Sequence, residues 1–83
     1  MTRELTDTEE RLLQVWRRWP LDSQRDRRLN EYAQLGLSEV RALQVVNALL
    51  TVPAALEHDP VTVSRLRRLR DSRTRGVRSW VTS

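Results

Sequence analysis

Three prolines and two glycines divide this chain into short segments, and within the segments apolar residues recur every three or four positions. That spacing predicts helices rather than strands, because residues three and four apart share one face of a helix. The interrupting residues are Pro20, Gly36, Pro53, Pro60 and Gly76. The chain is 83 residues long, which leaves room for a single domain with a modest core. We predict an all-α fold over residues 1–83: a small bundle of about four helices.

The start of the first helix is indicated by a capping box. Thr6 with Glu9 is the pattern of such a box, and it predicts a helix over about residues 7–19 that Pro20 ends. Four apolar residues share one face of this helix and are expected to lie in the core. They are Leu12, Val15, Trp16 and Trp19.

A second helix is expected to reach about Leu35, capped by Asp22 or Ser23. Three arginines crowd its first half, where the helix dipole disfavours cations: Arg25, Arg27 and Arg28. We expect Asp22, Asp26 and Glu31 to compensate for that crowding.

Ser38 is expected to cap a third helix over about residues 39–50, and Pro53 to open a short fourth turn. Asp59-Pro60 then predicts a last helix over about 60–75. Gly76 is expected to end it, with residues 76–83 as a tail that either folds back or stays loose. Val77, Trp80 and Val81 are the apolar residues of that tail.

The segment from Leu29 to Leu50 has the helix, three-residue turn, helix spacing of a helix-turn-helix, with Gly36 in the turn. In a DNA major groove, Arg41 can contact a guanine edge and Gln44 an adenine edge. Arg41 and Gln44 are the predicted base-reading residues, and Ser38 at the helix start is a further predicted DNA-binding residue. The alternative is that this segment is only a helical hairpin within a small bundle.

The charge distribution also favours nucleic acid. Residues 1–64 carry 8 Arg and 10 acidic residues, whereas residues 65–83 carry 7 Arg and only Asp71. A basic end on a nearly neutral body is typical of a phosphate-binding surface on DNA. The predicted phosphate contacts are Arg65, Arg67, Arg68, Arg70, Arg73 and Arg75. Two alternatives stay open: a solvated face whose arginines pair with acids of the first helix, or an RNA-binding end.

A protein-interaction module is the second predicted function. Val40 and Leu43 make the third helix apolar on nearly every side, which is typical of a helix that a partner covers. Trp16 or Trp19 could also anchor a partner, although their spacing favours core positions. RNA polymerase, a regulator, a host factor or a second copy of the chain are the partners considered.

Catalysis and cofactor binding are not expected. The chain has no Cys, His58 is its sole histidine, and its glycines are isolated, so thiolate sites, metal sites and phosphate-cradling loops lack the residues they need. We therefore expect no enzyme activity, no cofactor and no small-molecule substrate. No apolar run approaches a membrane span, and the first residues are polar, so we expect a cytoplasmic protein without membrane contact.

Several motifs resemble a small family found in actinobacteria and their phages, the domain of unknown function numbered 3263. They are Leu37-Ser38, Gln44, Asn47, Leu50, Pro53-Ala54-Ala55-Leu56, Asp59-Pro60 and the run Arg65-Leu66-Arg67-Arg68-Leu69-Arg70. All fifteen basic residues are Arg, which fits such a high-GC source. The resemblance implies a helix-turn-helix, the label that this family often carries. From the Gly36-Leu37-Ser38 turn and the basic end, our leading prediction is a small DNA-binding or transcription-associated regulator of phage or actinobacterial origin. Family members tend to carry an aromatic pair after the Arg of the third helix, where this chain has Ala42 and Leu43.

Overall fold

The computed structural model describes residues 3–82, and it describes side chains from residue 3 to residue 72. Over that range the chain forms five α-helices and one 3-10 turn, Asp22–Gln24, and no strand. The helices are α1 (Asp7–Arg18), α2 (Arg25–Gln34), α3 (Glu39–Leu49), α4 (Pro53–His58) and α5 (Pro60–Thr82). The predicted all-α class is confirmed: four longer helices and one short turn of helix after Pro53.

The capping box at the start of α1 is confirmed. The Thr6 hydroxyl accepts the Glu9 N–H at 3.2 Å, and the Glu9 carboxylate accepts the Thr6 N–H at 2.9 Å. Arg3 donates two further hydrogen bonds of 2.7 Å to that carboxylate. The Arg3 guanidinium is the main reason that the pKa of Glu9 falls to about 2. The buried carboxylate is therefore charged, paired and fixed in place.

The start of the second helix differs from the prediction. The chain first makes the 3-10 turn, in which the Leu21 N–H donates to the Gln24 side-chain oxygen at 3.0 Å. Neither Asp22 nor Ser23 caps a helix, because both lie inside that turn. Gln24 is the N-cap residue of α2, but its side chain makes no hydrogen bond to the backbone of that helix. It reaches back over three residues to the Leu21 N–H instead, as the acceptor of a capping box does.

The turn between α2 and α3 depends on a left-handed glycine. Gly36 has a φ of +74°, and its N–H donates to Ala33 O at 3.0 Å. The Leu37 N–H donates to Tyr32 O at 2.9 Å. These two bonds form a Schellman motif, which reverses the chain at the end of a helix. Ser38 then caps α3, as predicted, by accepting the Arg41 N–H at 3.2 Å.

The last two helices begin as predicted. Pro53 occupies the first turn of α4, and the Asp59 carboxylate accepts the Thr62 N–H at 3.2 Å, which caps α5. The predicted end at Gly76 is wrong, since α5 continues through it to Thr82. One glycine inside a helix costs only about 1 kcal/mol relative to alanine, so it does not have to end the helix. The side chains of Val77, Trp80 and Val81 lie outside the described range.

The core forms around α1, which contacts α2, α3 and α5. Leu12, Val15 and Trp16 are buried as predicted, and Trp19 packs against the core while half-buried. Leu13 is also completely buried, although it was not among the predicted core residues. From the other helices come Tyr32, Ala42, Val46, Leu49, Leu50, Ala55, Val63 and Leu66. The resulting bundle presents one face of α3 to the interior and leaves the other face uncovered.

Candidate nucleic-acid interface

The outward face of α3 carries the predicted base-reading residues. Ala42, Val46 and Leu49 hold the helix on the core, whereas Arg41 and Gln44 are exposed. Both side chains are therefore accessible to solvent on the outer face of α3. Ser38 is also exposed, but its hydroxyl oxygen is already the acceptor of the helix cap.

An ion pair ties the start of α3 to the start of α2. The Arg25 guanidinium donates to the two carboxylate oxygens of Glu39 at 2.7 and 2.5 Å. Arg25 holds the pKa of Glu39 below its usual range, since the pair favours the charged carboxylate. The two partners are 14 residues apart, so no local sequence pattern indicates the pair.

The arginines at the start of α2 are compensated only in small part as predicted. Arg25 forms its ion pair with Glu39, and the charge of Asp26 makes a smaller contribution. Arg28 is buried, and it donates to the carbonyls of Trp19 at 2.8 Å and Leu21 at 2.7 Å. Glu31 forms an ion pair with Arg11 of α1, with 3.6 Å between Arg11 Nη2 and Glu31 Oε2, and not with an arginine of α2. The crowding is relieved by long-range contacts, because the chain reversals bring carbonyls and carboxylates from other segments to these side chains.

The predicted phosphate contacts fall into different environments. Arg65 and Arg68 are exposed on the outer side of α5. Arg67 donates to Leu50 O with its Nε at 2.8 Å and its Nη2 at 2.6 Å, which caps the C-terminal end of α3. Arg70 forms an ion pair with Asp71, with 3.8 Å between Arg70 Nε and Asp71 Oδ1. The side chains of Arg73 and Arg75 lie outside the described range, so the structure does not place them.

The two tryptophans of α1 are not equivalent. Trp16 is buried, and the Arg28 guanidinium lies over its ring at 4.2 Å from the ring centre. Trp19 is half-buried, with Arg18 at 4.9 Å from its ring centre. Trp16 is therefore a core residue, and its ring lies between the other core side chains and the buried guanidinium of Arg28.

An open apolar groove of about 310 Å³ lies between α3 and α5. Its buried floor includes Trp16 and Leu66. Leu43 on the α3 side and Leu69 on the α5 side form its rims, and their exposed fractions are 36% and 40%. Two predicted partner-binding residues, Leu43 and Trp16, therefore meet in one groove. Val40 is 68% exposed and lies one helical turn before Leu43.

Within the described part of the chain, no helix combines the length and the apolar character needed to cross a membrane. The same part contains no group of three or more His, Asp or Glu side chains arranged to hold a metal ion.

The fold is that of a small all-helical domain in which the outer face of α3 is exposed to solvent. The chain belongs to the family described as protein of unknown function DUF3263, which matches residues 4–78. This confirms the predicted family. No curated protein and no solved structure matches the chain.

Proposed function

We propose that this protein binds double-stranded DNA, with α2, the Gly36 turn and α3 acting as a helix-turn-helix and α3 as the helix that enters the major groove. The observation that supports this most directly is the two-sided character of α3. One face is buried in the core, while the face that carries Arg41 and Gln44 is exposed. A reading helix needs both properties, because it must be held rigidly and still reach the base edges.

The connection between α2 and α3 supports the same proposal. The Schellman motif at Gly36 and the Arg25–Glu39 ion pair join the two helices at both ends of α2. The α3 helix has 11 residues, which corresponds to about 16 Å of length. A major groove about 12 Å wide admits a helix of this kind.

Exposed cations can supply the contacts that do not depend on sequence. Arg65 and Arg68 are solvent-accessible on α5 and are available for phosphate oxygens. Arg67 is left out of this set, because its guanidinium is engaged with the Leu50 carbonyl. The proposed role is that of a transcription-associated regulator in the cytoplasm, of actinobacterial or phage origin, as the all-arginine basic composition suggests.

The proposal is tested by fluorescence anisotropy of a labelled random DNA duplex of about 25 base pairs, which is long enough to bind one domain. Binding is measured over a series of salt concentrations. We expect binding at low salt, with log K falling linearly as log salt rises. In the Arg65→Ala/Arg68→Ala variant, the slope should become less negative by about 1.8, which corresponds to two lost phosphate contacts. Arg17→Ala is the matched control, because Arg17 is an exposed arginine of α1.

Sequence readout needs a second measurement. A selection from random duplexes should give a preferred site, and Arg41→Ala or Gln44→Ala should weaken binding to it by about 1–3 kcal/mol while leaving binding to random DNA nearly unchanged. The proposal is wrong if no duplex binds at low salt, or if Arg17→Ala weakens binding as much as the double variant does.

A further inference from the structure

We propose that Val40 contacts the methyl group of a thymine in the DNA major groove, within about two base pairs of the adenine that Gln44 contacts. This inference rests on the proposed DNA-binding function and names the chemical feature of DNA that the site requires. The observation behind it is the position of Val40, which is the second residue of α3 and is 68% exposed.

Val40 lies on the same face of α3 as the predicted base-reading residues. With 3.6 residues in each helical turn, Gln44 lies about 40° and Arg41 about 100° around the helix from Val40. All three side chains are exposed. Ala42 and Val46, which hold the helix on the core, are buried on the opposite side. A molecule that covers Arg41 and Gln44 therefore covers Val40 as well.

The charge of this face is complementary to DNA. Arg41 is exposed on it, and Glu39 is the one acidic residue of α3. The carboxylate of Glu39 accepts hydrogen bonds of 2.7 and 2.5 Å from Arg25, so its negative charge is balanced by a cation. The face therefore combines an exposed cation with a neutralised carboxylate, which suits a polyanion better than a basic partner.

The chemistry of the valine side chain selects thymine within the groove. Base edges present hydrogen-bond donors and acceptors there, and the methyl group of thymine is the apolar group among them. Valine cannot replace the water that a polar base atom loses when it is covered, and that loss is costly. Contact with a methyl group instead removes apolar surface from water on both sides, which is favourable. Val40 therefore favours thymine over cytosine, which has a hydrogen atom in place of the methyl group.

The spacing of Val40 and Gln44 limits the distance between the two bases. Four residues rise about 6 Å along a helix, and successive base pairs are about 3.4 Å apart. The two side chains therefore reach bases that are separated by no more than about two steps. The side-chain amide of Gln44 suits the donor and acceptor of adenine. The expected site thus contains a thymine and an adenine close together.

The test replaces thymine by deoxyuridine, which removes only the methyl group. The DNA is the site selected from random duplexes, and each thymine on either strand is replaced in turn. One replacement should weaken binding about fourfold, the effect expected for uncovering one methyl group. At the same position, a pair of 5-methylcytosine with guanine should bind more tightly than cytosine with guanine by a similar factor, because the methyl group is restored.

Substitution of Val40 assigns the methyl contact to one side chain. Val40→Ala should weaken binding to the thymine site about fourfold, and replacement by deoxyuridine should then have little further effect. Val61→Ala is the matched control, because Val61 is also the second residue of its helix and is 65% exposed, but lies on α5. This variant should keep the full difference between thymine and uracil. Far-UV circular dichroism checks that both variants are folded.

Four results would overturn the inference. They are a preferred site without thymine, equal binding of thymine and uracil at every position, a full methyl effect in Val40→Ala, and loss of self-association in Val40→Ala with unchanged DNA affinity. The last result would make a second copy of the chain the molecule that covers Val40. If no duplex binds at low salt, the DNA-binding proposal and this inference fail together. A preferred site that is insensitive to uracil contradicts this inference alone.

Discussion

At the scale of single residues, Arg28 is the side chain that most changes the interpretation of the sequence. It is a buried cation, with an exposed fraction of 5%. Its guanidinium fixes the connection between α1 and α2 by donating to the Trp19 and Leu21 carbonyls, while its plane covers Trp16. One nitrogen, Nη1, donates both hydrogen bonds, while the flat face of the guanidinium lies over the Trp16 ring.

We predict that Arg28→Lys lowers the free energy of unfolding by roughly 2 kcal/mol, because an ammonium group has no flat face to cover the Trp16 ring while a nitrogen at its edge bonds to both carbonyls. Urea unfolding followed by tryptophan fluorescence measures this loss. Arg27→Lys is the control: Arg27 is exposed, and we expect its effect to stay within about 0.5 kcal/mol. Equal effects of the two substitutions would contradict the role of Arg28.

Glu9 gives the fold a dependence on acid pH. Its pKa is lowered to about 2 in the folded protein, chiefly by the Arg3 guanidinium, whereas the unfolded chain has the ordinary value of about 4.3. The stabilisation is therefore complete above the unfolded pKa and is lost as the pH falls through the folded pKa. Since Arg3 is half exposed, we expect a contribution of about 1 kcal/mol.

Unfolding measured between pH 5 and pH 2, roughly the range that brackets the two pKa values, tests this prediction. Glu9→Gln should reduce the stability difference across that range, because position 9 then has no group to protonate, and the pH dependence that remains should come in part from Glu39, whose pKa Arg25 also lowers. Glu10→Gln, a neighbouring exposed carboxylate, should keep the wild-type profile. A Glu9→Gln variant that still lost stability as the wild type does would assign the pH dependence to other groups.

At the scale of helices, Arg67 shows that one arginine of the basic run is structural. It satisfies the carbonyl of Leu50 at the end of α3 from 17 positions away. We predict that Arg67→Met costs about 1–2 kcal/mol of stability, because the apolar stem is kept but both hydrogen bonds are lost. Arg65→Met should be nearly neutral, since Arg65 is exposed. Thermal unfolding of the two variants separates a capping arginine from a solvated one.

Local signals predicted most helix boundaries. The starts of α1, α3 and α5 were predictable because Thr6, Ser38 and Asp59 bond to backbone groups only three positions away. The start of α2 was not, because an unforeseen 3-10 turn moves the helix start past Asp22 and Ser23. The end of α5 was missed because a single glycine is a weak helix breaker compared with a proline.

The candidate site was predictable only in part. The helical period placed Arg41 and Gln44 opposite the buried Ala42 and Val46, and the structure agrees. The period could not reveal that Leu43 meets residues of α5 in one groove, because that depends on how distant segments pack. The same limit applies to Arg67 and to the Arg25–Glu39 pair, whose partners are 17 and 14 positions away.

At the scale of the whole molecule, stability depends on α1, which contacts three of the other helices. Leu13 is completely buried there. We predict that Leu13→Ala costs roughly 3–4 kcal/mol, a large part of the stability of about 4–12 kcal/mol that a domain of this size has. Circular dichroism and tryptophan fluorescence should report the same lowered midpoint, because removal of a shared core contact weakens all helices together. Separate transitions would show that the helices melt independently.

The left-handed Gly36 makes the path of the chain sensitive to chirality at one position. An L-alanine side chain would meet no atom within 4 Å there, so its cost would come almost entirely from the backbone strain, about 1 kcal/mol. The mirror-image residue, D-alanine, adopts positive φ without that strain and restricts the unfolded chain. We predict that a chemically synthesised chain with D-alanine at position 36 is more stable than the natural one, and that the L-alanine chain is less stable. The two chains have the same composition and differ only in the configuration at residue 36. A higher melting temperature of the D-alanine chain would therefore show that the cost of L-alanine comes from the positive φ and not from the added methyl group.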